Sequence, residues 1–116
     1  MPLDDTPWDR FKSGYKLIQY MAAGRATVAS PVGANLEIVA HGRTGFLAQT
    51  DDEWATALVR LRDNAELRRR FGAAGRHRCA EYYSLSSVLE RLLEALLPCW
   101  GDDAAPDPVT AHGGAV

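Results

Sequence analysis

The sequence predicts an α/β fold in which parallel strands are covered by helices. Short apolar segments alternate with segments of helical spacing, and this alternation is typical of α/β domains. The short segments lack polar alternation, which suits a parallel sheet that is covered on both faces. Two such strands are too few for a stable sheet, and three helices follow them. We therefore expect this chain to hold only the later part of a domain.

The first half of the chain predicts a loop, a helix and a strand. Residues 1–13 are polar and lack periodicity, so they are interpreted as a loop. Helical spacing begins at Gly14, and Gly24 is placed to end the helix as a C′ glycine. Residues 26–30 are small and compatible with a strand, which Pro31 stops. The positions that share one face of the helix are Leu17, Ile18, Met21 and Ala22.

The middle of the chain predicts a second helix and a second strand. Residues 35–41 have room for about two helical turns. Residues 42–45 are typical of a turn, and residues 46–48 predict a short strand. Thr50 precedes Glu53 by three residues, which is the spacing of a capping box at the start of a further helix.

Three helices are predicted to close the domain. Asn64 and Ser84 are placed to cap the second and the third of them. Gly72 and Gly75 lie inside the second helix and predict a weakened middle. The residues that share one face of each helix are Trp54, Ala57, Leu58 and Leu61 in the first helix, Leu67, Phe71, Ala74, Arg78 and Tyr82 in the second, and Leu85, Val88, Leu89, Leu92, Leu93, Leu96 and Leu97 in the third.

Composition predicts where the domain ends and in which compartment the protein lies. Residues 98–116 are rich in Pro, Asp, Ala and Gly and predict a disordered tail, which leaves residues 1–97 as a partial domain. No apolar run reaches the roughly 18 residues of a membrane helix, and no signal peptide is evident. Cys79 and Cys99 lack metal spacing and are interpreted as reduced thiols. We therefore expect a cytoplasmic protein without a metal cofactor.

The segment from Lys12 to Gly24 carries the candidate chemistry. A glycine at a helix start lets a ligand approach the backbone, and the first free amides of a helix attract an anion. Lys12 and Lys16 add positive charge beside Gly14, and Gln19 lies one turn farther along, where it can bind a hydroxyl pair. This spacing favours a nucleotide diphosphate site, whereas the alternative is a solvated helix start.

An ordered series of motifs resembles the C-terminal domain of glycosyltransferase family 4. The resemblance covers residues 5–97, and its specificity comes from the order of the motifs. A Tyr83–Ser84 step before the last helix also fits. The motifs are KLIQYMAAG from Lys16, VASPVG from Val28, NLEIV from Asn35, GRTGFL from Gly42 and ELRRRFGAAGR from Glu66.

The resemblance implies a retaining enzyme of the GT-B type, with two Rossmann-like domains and a cleft between them. In such enzymes the C-terminal domain binds the nucleotide-sugar donor, and no bound metal is generally needed. Gly14 and Tyr15 match the loop whose backbone meets the donor diphosphate. Gln19 matches the glutamate that usually holds the ribose, and its amide offers one acceptor oxygen without charge. The family's first acid falls at Phe11, so that acid is absent.

The resemblance also implies that parts of the enzyme lie upstream. The acceptor domain and the basic pair that grips the diphosphate precede this segment in the family, so we assign no catalytic residue here and expect the isolated chain to be inactive. The predicted donor-binding residues are Lys12, Ser13, Gly14, Tyr15, Lys16 and Gln19. The alternative is a non-catalytic fragment or split subunit that binds a partner chain through its open sheet edge.

Several other features have two interpretations. The arginines of the helix after Asn64 suggest either a solvated face or contact with anionic lipid or nucleic acid. A net charge of −2 argues against a nucleic-acid partner, whereas peripheral membrane contact stays open. Trp8 either stacks on a base or sugar, or covers the sheet edge. The arginines are Arg68, Arg69, Arg70, Arg76 and Arg78, and the separated histidines, which we interpret as surface residues, are His41, His77 and His112.

Overall fold

The computed structural model describes residues 1–99 of the chain. These residues divide into one unit from Met1 to Ser84 and a second unit that begins at Leu85. Among the described helices, none is long and apolar enough to cross a lipid bilayer. The elements of the first unit are α1 (Pro7–Arg10), α2 (Tyr15–Ala22), β1 (Thr27–Ala29), α3 (Asn35–Ile38), β2 (Gly45–Leu47), α4 (Asp51–Asp63) and α5 (Ala65–Tyr82).

The second unit contains the predicted last helix. This helix, α6, spans Leu85–Leu96 and leads into a 3-10 turn at Leu97–Cys99. The predicted disordered tail began at residue 98, so its first two residues belong to this turn. The rest of that tail, residues 100–116, lies outside the described residues.

β1 and β2 pair in parallel, which confirms the α/β prediction. Val28 lies opposite Phe46, and Ala29 lies opposite Leu47. Every residue of β1 is buried, as expected for a strand that is covered on both faces. Two clusters of apolar side chains provide this cover, and α5 contributes to both. One contains Leu17, Met21, Ala29, Ile38, Val39 and Cys79, and the other contains Val28, Phe46, Ala48, Ala57, Leu61 and Phe71.

The two outer edges of this sheet differ in the groups that bind their outward-facing backbone amides and carbonyls. At β2, the amide of Leu47 donates to Nδ1 of His41 at 2.9 Å, and the amide of Gly42 donates to the carbonyl of Gly45 at 2.8 Å. The preceding loop therefore closes the β2 edge. At β1, the terminal amine of Met1 donates to the carbonyl of Val28 at 2.6 Å, and the amide of Ser30 donates to the carbonyl of Met1 at 3.2 Å. This is the bonding pattern of a parallel bridge.

Helix caps account for the boundaries that the sequence predicted. The Thr50 hydroxyl accepts from the amide of Glu53, whose carboxylate accepts from the amide of Thr50, so the capping box is confirmed. The Asn64 side chain accepts from the amide of Leu67 at 2.9 Å and begins α5. Gly24 has a φ of +68° and follows α2, as a C′ glycine does.

Two local expectations are wrong. The leading segment is not wholly a loop, because Thr6 accepts from the amide of Asp9 and Pro7 stands at the first helical position, which together support the single turn of α1. The helix at residues 35–41 has one turn rather than two. It ends because Val39 adopts an extended conformation, with φ of −92° and ψ of 113°.

α5 is continuous from Ala65 to Tyr82, and two glycines lie within it, Gly72 and Gly75. Both are buried where α5 crosses α2. A Cβ at Gly72 would collide with the carbonyl oxygen of Gly24, whereas a Cβ at Gly75 would meet the side chain of Met21 at 3.4 Å. Tertiary contact therefore determines the position of Gly72, because only glycine lets the two backbones approach so closely.

Candidate functional site

The candidate site is built on the start of α2. Gly14 is the N-cap residue and adopts the left-handed conformation, with φ of +65° and ψ of 20°. Its carbonyl accepts from the amides of Leu17 and Ile18 at 2.9 and 3.3 Å. Within the described residues, the amides of Tyr15 and Lys16 have no hydrogen-bond acceptor. The start of α2 thus offers free N–H groups, the arrangement that attracts anions at helix N-termini.

A cleft of about 860 Å³ opens at this helix start. It brings together five of the six predicted donor-binding residues. Gln19, the sixth, is exposed and does not line the cleft, since it lies one turn farther along α2. The lining residues are Met1, Pro2, Leu3, Lys12, Ser13, Gly14, Tyr15, Lys16 and Tyr20.

The two lysines of the cleft differ in their partners. Lys12 Nζ lies 2.5 Å from the Asp9 carboxylate, and this hydrogen bond lowers the pKa of Asp9. Lys16 is exposed and forms no ion pair with any residue from 1 to 99. Lys16 is therefore the cation of the cleft that an incoming anion meets without displacing a carboxylate.

Contacts with α3 fix the position of Gly14. A Cβ at Gly14 would collide with Cδ1 of Ile38 and would lie 3.3 Å from Oδ1 of Asn35. Asn35 is 1% exposed, and its Nδ2 donates to the carbonyl of Ser30 at 3.0 Å. The Ser30 hydroxyl in turn accepts from the amide of Leu3, which lines the cleft. The end of β1 and the start of α2 are therefore connected through one buried amide.

Sequence reasoning did not identify Asn35 as part of this arrangement. Its Oδ1 is buried without a hydrogen-bond partner in the described structure, which is uncommon for a native side chain. The available signal was an amide side chain two residues after Gly33, at the turn that follows β1. That signal suggests a cap, and only the fold shows that Asn35 faces Gly14.

The aromatic residues near the site are exposed. Phe11, at the position of the family's first acid, is 89% exposed at the end of α1. Trp8 is 79% exposed, so it does not cover the sheet edge. Tyr15 and Tyr20 line the cleft itself and offer ring surface to a ligand. Asp9, the carboxylate nearest to Phe11 in sequence, forms an ion pair with Lys12.

The arginines of α5 are only partly a solvated face. Arg68 Nη1 donates to the carbonyls of Leu61 and Arg62 at the end of α4. Arg78 donates to the carbonyls of Glu37 and Ile38 at the end of α3, at 2.6 and 3.1 Å. These two side chains thus satisfy orphan carbonyls of helix C-termini. Sequence reasoning missed this role, because it depends on which helix end lies beside α5.

The histidines and cysteines show no metal chemistry in the described part of the chain. The Nδ1 atom of His41 accepts a hydrogen bond from the amide of Leu47 at the β2 edge. His77 Nδ1 lies 3.9 Å from the Glu81 carboxylate on the surface of α5. Cys79 and Cys99 are both free thiols, as expected. Residues 1–99 contain no group of three His, Cys, Asp or Glu side chains that are placed to hold a metal ion. His112 lies outside the described residues.

The fold and the cleft define an α/β domain that presents a helix start at the carboxyl end of a parallel strand. Residues 2–64, more than half of the chain, match the family profile of the glycosyl transferases group 1. The chain therefore belongs to this family. The resemblance and the fold class that the sequence predicted are both confirmed.

The chain is also similar to two curated mycobacterial enzymes. The alpha-maltose-1-phosphate synthase of Mycolicibacterium smegmatis is 38% identical over 85 residues, which cover 66% of this chain and 22% of that enzyme. The alpha-maltose-1-phosphate synthase of Mycobacterium tuberculosis (strain H37Rv) is 38% identical over 88 residues, with the same two coverages. The matched region thus spans about a fifth of the length of these relatives.

Proposed function

We propose that this chain contributes the diphosphate and ribose part of the donor site of a retaining, nucleotide-sugar-dependent glycosyltransferase. The observation that carries the proposal is the start of α2, where free amides, a glycine and Lys16 meet in one cleft. Membership of the glycosyl transferases group 1 supports transfer of a sugar as the reaction. The relatives named alpha-maltose-1-phosphate synthase support a phosphate-bearing carbohydrate in that reaction.

In this proposal, the residues from position 12 to position 16 bind the donor diphosphate. The donor diphosphate accepts hydrogen bonds from the amides of Tyr15 and Lys16, and Lys16 supplies the adjacent charge. Ser13 donates its hydroxyl, and the absence of a Cβ at Gly14 lets the phosphate approach the backbone. Lys12, whose side chain is 45% exposed, exchanges its partner Asp9 for the more highly charged phosphate. Because these groups already balance the anion, no metal cofactor is required.

In the same proposal, Gln19 binds the ribose rather than the diphosphate. Its side chain lies one turn beyond the cleft lining, on the exposed side of α2. A ribose that extends from the diphosphate along the helix reaches its amide, which accepts one hydroxyl proton and donates to a second oxygen. The proposed location is cytoplasmic, which the two free thiols support.

The test is a thermal-shift titration of the full chain with UDP, GDP and ADP. We expect one nucleotide to raise the melting temperature, and Lys16→Ala to abolish the rise. Arg76→Ala is the matched control, because it removes one exposed positive charge from α5, away from the cleft. Gln19→Ala and its control Gln49→Ala separate the ribose contact from the diphosphate contact. Equal responses of Lys16→Ala and Arg76→Ala would exclude the site.

A second candidate function is association with a partner chain. The observation that favours it is the β1 edge, where Met1 forms a parallel bridge and its amine is half-buried. Desolvation lowers the pKa of this amine, because partial burial disfavours its charged form. In this candidate, a strand from the N-terminal acceptor domain or from a split subunit lies along β1. Coexpression with a separate upstream domain and isolation of a stoichiometric complex would support it, and recovery of two monomers would exclude it.

A further inference from the structure

A second cleft lies at the opposite end of β1 from the candidate donor site. It is formed where the segment Gly24–Ala26 enters β1 and where α4 turns into α5, and its volume is about 740 Å³. We call it the arginine cleft. It is lined by Gly24, Arg25, Ala26, Leu58, Leu61, Arg62, Ala65, Arg68 and Arg69.

The arginine cleft is positively charged on a chain that is slightly acidic overall. Its lining contains four arginines and no carboxylate. Residues 58–70 hold five arginines and two acids, whereas the whole chain has a net charge of −2. Such a concentration of one sign of charge in a concave surface raises the local concentration of anions.

The arginines of the cleft are available to an anion in different degrees. Arg25 forms no ion pair with any of residues 1–99. Arg62 pairs with Asp63 at 2.6 Å and Arg69 with Glu66 at 3.2 Å, and all four of these side chains are more than half exposed. Exposed pairs of this kind contribute little free energy, so a phosphate displaces them readily.

Arg68 provides the fixed point of the cleft. Its Nη1 donates to the carbonyls of Leu61 and Arg62, so these carbonyls hold one side of the guanidinium. Within residues 1–99, no hydrogen bond engages its Nε or Nη2. A guanidinium that is already oriented loses less entropy when it binds, and its fork matches the oxygens of a phosphate.

The cleft also offers an apolar surface beside its charges. Leu58 is 54% exposed, and Leu61 lies next to it on α4. We propose that the arginine cleft binds a phosphate group that is attached to a less polar body. That phosphate belongs either to a soluble phosphate ester or to the headgroup of an anionic lipid. The proposal is independent of nucleotide binding at the start of α2.

The first experiment locates phosphate binding by amide chemical shifts in the 15N-labelled full chain, with inorganic pyrophosphate as the probe. We expect saturable shifts of the amides of Arg25, Ala65 and Arg69. Arg25→Gln/Arg69→Gln removes two exposed charges from the cleft, and we expect it to weaken binding there by about tenfold, the effect of losing roughly 1.4 kcal/mol of charged hydrogen bonding. The matched control, Arg43→Gln/Arg76→Gln, removes two exposed charges elsewhere and leaves these shifts intact. Shifts at Gly14 and Lys16 report the donor site separately.

The second experiment identifies the source of the phosphate. The same three proteins are sedimented with vesicles of phosphatidylglycerol and with vesicles of phosphatidylcholine. Binding to phosphatidylglycerol alone, reduced in Arg25→Gln/Arg69→Gln but not in the control, assigns the cleft to a lipid headgroup. Pyrophosphate shifts without vesicle binding assign it to a soluble ester. If neither probe distinguishes Arg25→Gln/Arg69→Gln from the control, the proposal is wrong.

Discussion

The crossing of α5 over α2 depends on two buried glycines that should respond oppositely to the same substitution. Glycine in a helix interior costs about 1 kcal/mol relative to alanine, so propensity alone favours both Gly72→Ala and Gly75→Ala. At Gly75 the new Cβ meets Met21 Cγ at 3.4 Å, which is close to an ordinary contact. At Gly72 it falls on the backbone carbonyl of Gly24, which cannot rotate away as a side chain does. This clash can be relieved only if the backbone at Gly24, just after α2, and α5 move apart.

The expected magnitudes follow from these contacts. Overpacking costs about 1–3 kcal/mol, and a clash between backbones belongs at the upper end, so Gly72→Ala should lose about 2 kcal/mol net of the propensity gain. In a unit of this size that loss lowers the melting temperature by roughly 10 °C, whereas Gly75→Ala should raise it by a few degrees. Thermal unfolding followed by circular dichroism measures both, and Ala73→Gly, at an exposed neighbour on α5, calibrates the propensity. A Gly72→Ala protein that melts at or above the wild-type temperature would refute the packing argument.

Further substitutions test the helix ends and the start of α2. Arg78→Gln removes two bonds to carbonyls at the end of α3 and should lower the free energy of unfolding by about 1–2 kcal/mol in urea denaturation; no change would mean that water replaces both bonds. Thr50→Ala removes the cap of α4 and should cost about 1 kcal/mol in the same assay. Backbone hydrogen bonds lower the pKa of Glu53 below its usual 4.5, so its stabilising effect is complete above pH 4.5 and is lost as the pH falls through the lowered value. Wild type and Glu53→Gln should therefore converge in melting temperature in acid, and a constant difference would contradict this origin. Gly14→Ala should lower the melting temperature more than Gly42→Ala, because both glycines have positive φ but only the first would place a Cβ against another side chain.

The elements that the sequence predicted well are those whose signals are local. The capping box at Thr50, the cap at Asn64 and the glycine that ends α2 depend on residues within one helical turn, and all three are confirmed. The sequence did not explain why a glycine stands at position 72, because the reason is not local. Helix propensity treats that glycine as a weakness, whereas its neighbour across the crossing, Gly24, lies far away in sequence.

In the candidate site, too, the sequence indicated which neighbouring residues lie together but not which separate elements come into contact. The run from Lys12 to Lys16 is contiguous, so its members were placed in one cleft by spacing alone. Asn35 was missed because its relation to Gly14 depends on α3 lying beside α2. Arg68 and Arg78 were missed for a similar reason, since each binds carbonyls of a helix other than its own. Side-chain type predicts what a group can bind, but only the packing of helices decides what lies within its reach.

The β1 edge of the sheet lies beside the candidate site at the start of α2, whereas the β2 edge is closed by its own loop. At β2 the His41 ring and the Gly42 amide occupy the edge, so another strand cannot pair there without displacing that loop. At β1 the bonding groups of Val28 and Ser30 face outward and accept a parallel partner, as the bridge to Met1 illustrates. The segment that begins with that bridge, Met1–Leu3, also lines the cleft at the start of α2. A strand that extends the sheet along β1 would therefore end beside the free amides of α2, and the residues that follow it would enter the same cleft.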